Sequence, residues 1–214
     1  FLDFNLRWDI YKMHTASVLK RGFDIVASIF LLFILGILFS FIAVLIKIDS
    51  KGPVFFPQTR VGKNGKEFTM WKFRSMENDA DEKKMFLAGQ NEMKGGVTFK
   101  MKQDPRVTPL GKFIRKFSID EFPQFWNVLW GDMSLVGPRP PLPSEVADYT
   151  PHQWQRLKVT PGMTCIWQVS GRSEIPFPQQ VELDLEYIAR QSFWLDLELM
   201  IKTIPAVLKA HGAY

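Results

Sequence analysis

Two adjacent carboxylates, Asp120 and Glu121, stand out in the stretch RKFSIDEFPQFWNVLWGDMSLVGPRP, residues 115–140. Successive helical residues point about 100° apart, so neighbouring acids can serve one atom only near a helix end. Pro123 marks such an end, because proline is tolerated in the first turn. That placement makes Asp120 a candidate N-cap and 125–130 the helix body. A Ser118–Glu121 capping box fits less well, since it would push Pro123 to a position where its missing N–H costs a bond. Capping alone would account for Asp120. What favours chemistry is the set of arginines: Arg106 in DPRVT, Arg115 in RKFSIDE, Arg139 in GPRP and Arg172 in SGRSE. Their planar forks match phosphate oxygens, and three of them sit beside Pro or Gly, where the backbone is fixed or can approach a ligand closely. Arg139, between Pro138 and Pro140, is the most constrained. Any one arginine is more often a surface ion pair; several in turn sequences weaken that reading. The combination points to phosphate handled beside a carboxylate. Such a pair of anions needs a cation, and Mg²⁺ with Glu121 answers that need. A carboxylate can also attack phosphorus to form an acyl phosphate.

These residues need a frame to hold them. The chain has 214 residues, 46% of them hydrophobic, and a net charge of +5, which suits one compact domain. Cys165 is the single cysteine, which excludes an intrachain disulfide or a cysteine zinc site; His14, His152 and His211 have no ligand spacing. The segment IVASIFLLFILGILFSFIAVLI, residues 25–46, is uncharged and as a helix reaches roughly 33 Å, enough for a bilayer core. Its flanks are both basic, so a simple span and a re-entrant helix entering and leaving by one face both fit; Gly36 and Ser40 are the candidate breaks. The residues ahead of it alternate as a strand would at Phe4, Leu6, Trp8 and Ile10, although Trp8 and Tyr11 could equally be interfacial anchors. The chain begins with Phe1, which suggests a fragment or processed product. Two runs around Lys63-Asn64-Gly65-Lys66 predict a β-hairpin, because Asn-Gly tolerates positive φ. ENDADEKKMFLAG predicts a short helix closed by Gly89, followed by a loop with Gly95 and Gly96. Helical periodicity recurs over 181–187 and 193–204, with Pro205 ending or kinking the last helix. There, Phe193, Trp194, Leu197 and Ile201 share one face, suited to core or to lipid.

The motifs KRGFDIVAS, GPVFFPQTRVGKNGKEFTMWKFRSM, the Asp104–Pro140 stretch, TPGMTCIWQVSGRSE and LDLEYIARQSFWLDLELMIKTI together resemble the bacterial sugar transferase family, the monotopic polyprenol-phosphate phosphoglycosyl transferases. The resemblance runs from Lys20 to Ile204. It implies an α+β, mainly helical catalytic domain with a small β-hairpin and a re-entrant membrane helix. The corresponding divisions are 1–19 as the end of an upstream region, 20–49 as the membrane helix, and 50–214 as the catalytic domain with interfacial helices. It implies Asp120 as nucleophile on the β-phosphorus of a UDP-sugar, UMP release, and passage of a hexose 1-phosphate to undecaprenyl phosphate. Glu121, with Asp120, would hold Mg²⁺; Arg106, Arg115, Arg139 and Arg172 would engage phosphate or nucleotide. The implied setting is the cytoplasmic face of a bacterial inner membrane, at the first membrane step of exopolysaccharide, capsule or O-antigen synthesis, with room for a homodimer. In the family the re-entrant break is a Ser-Pro pair, whereas here it reads Ser40-Phe41. Two other classes fit parts of the pattern: a membrane-surface module whose basic residues bind anionic lipid, and a Mg²⁺-dependent phosphodiesterase. Nucleic-acid binding ranks lowest, since the positive excess is small and no such motif is present.

Overall fold

The computed structural model describes residues 2–80, 82–83, 101 and 103–210, with side chains from Ser17 onward. Helix α1, Leu2–Asp49, is one unbroken helix. The strand-like alternation at Phe4–Ile10 therefore does not form a strand. Nor does a helix-break-helix form at Ser40. Its hydroxyl bonds back to the Gly36 carbonyl at 3.2 Å, but Phe41, unlike proline, keeps its N–H and the ladder continues.

The two faces of α1 differ. Phe23, Ala27, Leu31 and Leu35 pack on the main core around Phe125, Val128 and Leu135, and Phe39, Ile42 and Ile46 join Phe73 and Ile114 in a second cluster. Opposite them, Val26, Phe30, Phe33, Ile37, Phe41, Val44 and Ile48 are exposed, Phe33 and Ile37 at 85%. Polar staples fix the helix where its apolar stretch begins. The Arg21 guanidinium donates to the Val128 and Leu129 carbonyls at 2.5 and 2.8 Å, Lys20 to Asp196 at 2.5 Å and to the Val136 carbonyl at 3.0 Å, and the Leu135 N–H donates to Asp24 at 3.1 Å.

The predicted hairpin forms. Strands β1 (Phe55–Val61) and β2 (Glu67–Phe73) pair antiparallel from Phe55↔Phe73 to Val61↔Glu67. Asn64 and Gly65 take the left-handed conformation the turn needs, φ 58° and 82°. Helix α2, Pro109–Lys116, starts at Thr108, whose hydroxyl accepts from the Gly111 N–H at 3.0 Å. Then comes a single 3₁₀ turn, Ile119–Glu121, and helix α3, Gln124–Trp130, with Pro123 rather than Asp120 at its cap. Asp120 is thus no N-cap: the 3₁₀ turn absorbs the residues between it and the helix, and its carboxylate is left for another role.

A second sheet, invisible in the sequence, pairs β3 (Ser134–Val136) in parallel with β4 (Gly162–Thr164). Three-residue strands offer too little alternation to read. A Cβ on Gly162 would stand 2.0 Å from the Gly137 amide nitrogen, so glycine is what lets the strands approach. Around this lie α4 (Pro143–Ala147), α5 (Ile166–Ser170), α6 (Phe177–Arg190) and α7 (Phe193–Lys209). Helix α7 continues through Pro205 instead of ending there, and its Phe193, Trp194 and Ile201 point outward, at 40%, 75% and 60% exposure. Inside, Asp184 of α6 pairs with Arg156 at 2.6 Å, and Cys165 is wholly buried. The helix expected before Gly89 is described only at its start, Ala80 and 82–83; Gly89, Gly95 and Gly96 lie outside the described residues.

Asn127 joins α3 to the hairpin. Its side chain accepts from the Trp71 N–H at 3.0 Å and donates to the Thr69 carbonyl at 2.7 Å, in the manner of a neighbouring strand. Asn127→Ala leaves two backbone groups of β2 unpaired in a buried place, a loss of about 2–4 kcal/mol. Thermal unfolding of the detergent-solubilised protein should report it, with Asn127→Asp retaining the acceptor half of the effect.

Candidate active site

Glu121 is the meeting point of three elements. Its Oε1 receives Lys72 Nζ from β2 at 2.9 Å and Arg139 Nη2 from the loop after β3 at 3.0 Å. Period-two alternation puts Lys72 on the hairpin face that also carries Phe56, Gln58 and Arg60 of β1. Arg60 in turn fixes the loop that presents Arg139: it donates to the Pro140 carbonyl at 3.0 Å, while the Val61 N–H donates to Pro141 at 2.9 Å. The loop is held from its other side by the Gly162 N–H, which donates to the Pro138 carbonyl at 2.9 Å. Arg139 is therefore placed by backbone bonds to both sheets, in addition to the flanking prolines.

Asp120 is buried beside this cluster, yet among the described residues no side chain hydrogen-bonds its carboxylate. Its pKa is raised above the ordinary carboxylate value, first by burial and also by the charge of Glu121, against the opposing pull of Lys72, Arg115 and Arg139. Burial also opposes ionisation of Glu121, but Arg139 and Lys72 more than reverse this and hold its pKa well below the ordinary range. Two adjacent acids thus carry different assignments: Glu121 is a fixed anion inside an ion cluster, and Asp120 is a carboxylate with no hydrogen-bond partner among the described residues. The backbone is strained here as well. Ser118 and Arg172 both adopt positive φ, 53° and 52°, and Arg172 Nη2 stands 3.5 Å from Ser118 Oγ. Each such residue costs of order 1–3 kcal/mol, and the cost is carried next to Asp120.

All of these groups line one cavity of about 800 Å³. Arg115, Arg139 and Arg172 reach it near the acids, and both Arg115 and Arg139 act on the Asp120 charge. Arg106 lines the same cavity but is engaged with Asp104 at 2.6 Å and with the Ala80 carbonyl at 3.1 Å, so it secures its own loop. The sequence reading missed Lys72 and Arg60. The usable signal was their register: basic residues on the hairpin face that alternates with Phe68 and Met70, where a wholly apolar set would be expected. Arg60 is buried, which with Arg139 nearby pushes it down to about 10.

The acids suit a hard divalent cation. Glu121 Oε2 and both Asp120 oxygens take no hydrogen bond from the described residues, and no cluster of three or more acids, histidines or cysteines occurs among them. One or two carboxylates completed by water and substrate phosphate is the habit of Mg²⁺ rather than of zinc or calcium.

The opposed shifts give a sign that can be checked. Glu121 charge raises the Asp120 pKa, so Glu121→Gln should lower it; carboxyl ¹³C shifts of labelled aspartate, followed through pH with Asp120→Asn as the assignment control, measure the direction. An upward move would contradict the pairing described.

The chain matches the family described as bacterial sugar transferase over residues 15–210. It is 48% identical over 204 residues to the galactosyl transferase CpsE of Streptococcus agalactiae, covering 95% of this chain and 45% of that protein. It is 42% identical over 203 residues to the undecaprenyl-phosphate galactose phosphotransferase of Salmonella typhimurium, covering 94% of this chain and 42% of that protein. Against the exopolysaccharide production protein ExoY of Rhizobium meliloti it is 38% identical over 198 residues, with 91% and 88% covered. The chain thus spans less than half the length of the first two relatives and most of the third. A match across nearly its whole described length, carrying the Asp-Glu pair, the hairpin and the apolar helix together, makes this chain a member of the bacterial sugar transferase family.

Proposed function

We propose that the chain transfers a sugar 1-phosphate, a hexose 1-phosphate, from a UDP-sugar to undecaprenyl phosphate through a covalent intermediate on Asp120. The observation that carries this reading is the division of labour between the acids: Asp120 lies in a cation-lined cavity with no hydrogen bond to its carboxylate from the described residues, while Glu121 is neutralised by Lys72 and Arg139. In the first step an Asp120 oxygen attacks the β-phosphorus, the bond from that phosphorus to the bridging oxygen breaks, and UMP leaves with the electron pair. In the second, a phosphate oxygen of the lipid attacks the same phosphorus, and the Asp120 carboxylate is expelled unchanged. Ping-pong order suits a soluble donor and a lipid acceptor that must use one site in turn.

Arg139, Arg115 and Arg172 balance the diphosphate charge, and Lys72 keeps Asp120 more acidic than burial alone would allow. Asp120 and Glu121 would hold Mg²⁺, which when bound offsets the repulsion between carboxylate and phosphate. Helix α1 supports a membrane setting: residues 17–49 are long and apolar enough to cross a bilayer, yet both ends rest on the same domain, through Arg21 at one end and Ile46 at the other. That packing supports immersion of α1 by its outer face alone; the proposed setting is the cytoplasmic side of the inner membrane. Trp126, Trp130 and Trp194 are also exposed and suit an interface. The role would be the first membrane step of exopolysaccharide, capsule or O-antigen assembly; an exopolysaccharide role is the one that the name of a relative, ExoY, supports.

The test is UMP release from a panel of UDP-sugars with Mg²⁺, with and without undecaprenyl phosphate. Wild type should release one equivalent without lipid and turn over with it, and Asp120→Asn should do neither; lipid-independent turnover would mean a hydrolase. Acid should inhibit the first step, because falling pH protonates Asp120 at a raised pKa. Lys72→Met removes a charge that lowers that pKa, so the acidic limb of its single-turnover profile should move to higher pH.

A further inference from the structure

Helices α5 and α6 flank the turn that carries Arg172, and what they add to the cavity wall is neutral: Trp167, Gln168, Phe177 and Gln180. Arg156 stands over the Phe177 ring, 5.7 Å from its centre, but is already paired with Asp184. The two glutamines are turned the same way. Gln168 Nε2 donates to the Met163 carbonyl at 2.9 Å, and Gln180 Nε2 donates to the Ile175 carbonyl at 2.7 Å. A carbonyl can only accept, so these bonds fix which end of each amide is nitrogen. Each side chain is left with an oxygen. Gln168 Oε1 is enclosed and has no partner, whereas Gln180 lines the cavity and its Oε1 takes no hydrogen bond from the described residues.

We propose that this neutral wall holds the sugar ring of the donor, and that Gln180 selects the sugar by accepting a hydrogen bond from a hydroxyl on the side of the ring away from the phosphate. The inference rests on the function proposed above. The turn sets the order of the contacts: Arg172, at one end, feels the charge of Glu121, and Ile175, at the other, holds Gln180. Phosphate at the first end leaves the ring at the second. A hexose suits such a wall, because each free hydroxyl can donate to an oxygen and the C–H faces of the ring can lie on Trp167 or Phe177. A uracil ring offers one N–H donor and two carbonyl acceptors, which a wall that presents oxygen matches poorly. A second anion finds no uncommitted charge on α5 or α6 among the residues that line the cavity.

Pairing a side-chain change with a change in the donor tests this. Gln180→Met keeps the length of the side chain and removes the acceptor; Gln180→Glu keeps an acceptor. Single-turnover UMP release is measured with the UDP-hexose that wild type uses best and with its 2-, 3-, 4- and 6-deoxy forms. In wild type, omission of one hydroxyl at C3, C4 or C6 should slow release about tenfold, the worth of one hydrogen bond. The same omission should cost Gln180→Met nothing, and Gln180→Glu should recover the difference. Inhibition by UMP should be equal in wild type and Gln180→Met, which also shows that the variant is folded. If Gln180→Met does not fold, Gln180→Asn, whose oxygen falls short by one methylene, replaces it with the same expectations. Absence of coupling between Gln180 and all three hydroxyls, or UMP binding weakened as much as donor use, would overturn the proposal. A wild type that releases UMP from no UDP-sugar would instead remove the proposed function, and this inference with it.

Discussion

Burying one carboxylate between two cations organises this protein. Glu121 draws Lys72 from the hairpin and Arg139 from the loop after β3 to a single oxygen. Breaking one contact of such a buried cluster leaves uncompensated charge, which typically costs 3–5 kcal/mol. The cost explains the effort spent on placing the partners. Asn127 locks β2 to α3, Arg60 and Val61 tie β1 to Pro140 and Pro141, and Gly162 admits β4 close enough to hold Pro138. Because Glu121 absorbs the nearest positive charge, its neighbour Asp120 can be buried, partly neutralised from a distance and without a hydrogen bond from the described residues.

Helix α1 serves the core with one side only. Its inner stripe is core, continuous with Phe125 and Leu135; its outer stripe is exposed from Val26 to Ile48. Polar residues near its start, Lys20, Arg21 and Asp24, are spent on backbone groups of β3 and α3 and on Asp196 of α7 rather than on solvent. Lys20 and Tyr187 both donate to the Val136 carbonyl, one residue before the glycine that leads to Arg139. The apolar helix and the loop that carries Arg139 are therefore joined through β3.

Several readings were open in the sequence for a physical reason. The hairpin was legible because Asn64-Gly65 has a turn conformation that few pairs adopt. The acids and the arginines were legible as a group because Pro and Gly fix the backbone beside them. Pro123 was read as a sign of a capped helix and proved to follow a 3₁₀ turn instead, a difference of one hydrogen-bond register that spacing does not encode. Pro205 reads as ending or kinking the last helix, and α7 continues through it to Lys209. Lys72 and Arg60 went unread because a lysine in a strand looks like a solvated residue until its face is known.

What the sequence by itself determined was local and compositional: an apolar helix of membrane length, a hairpin with a positive-φ turn, an adjacent acid pair and four arginines in constrained turns. These depend on backbone propensity and burial preference, which act over a few residues. Tertiary structure alone decided which acid is paired, which arginines reach it, and that α1 lies along the domain instead of leaving it. Those outcomes depend on contacts such as Lys72 with Glu121 and Arg21 with Val128, between residues far apart in the chain. Charge pairing in a buried place depends on distance and on exclusion of water, and neither exists until the elements have packed.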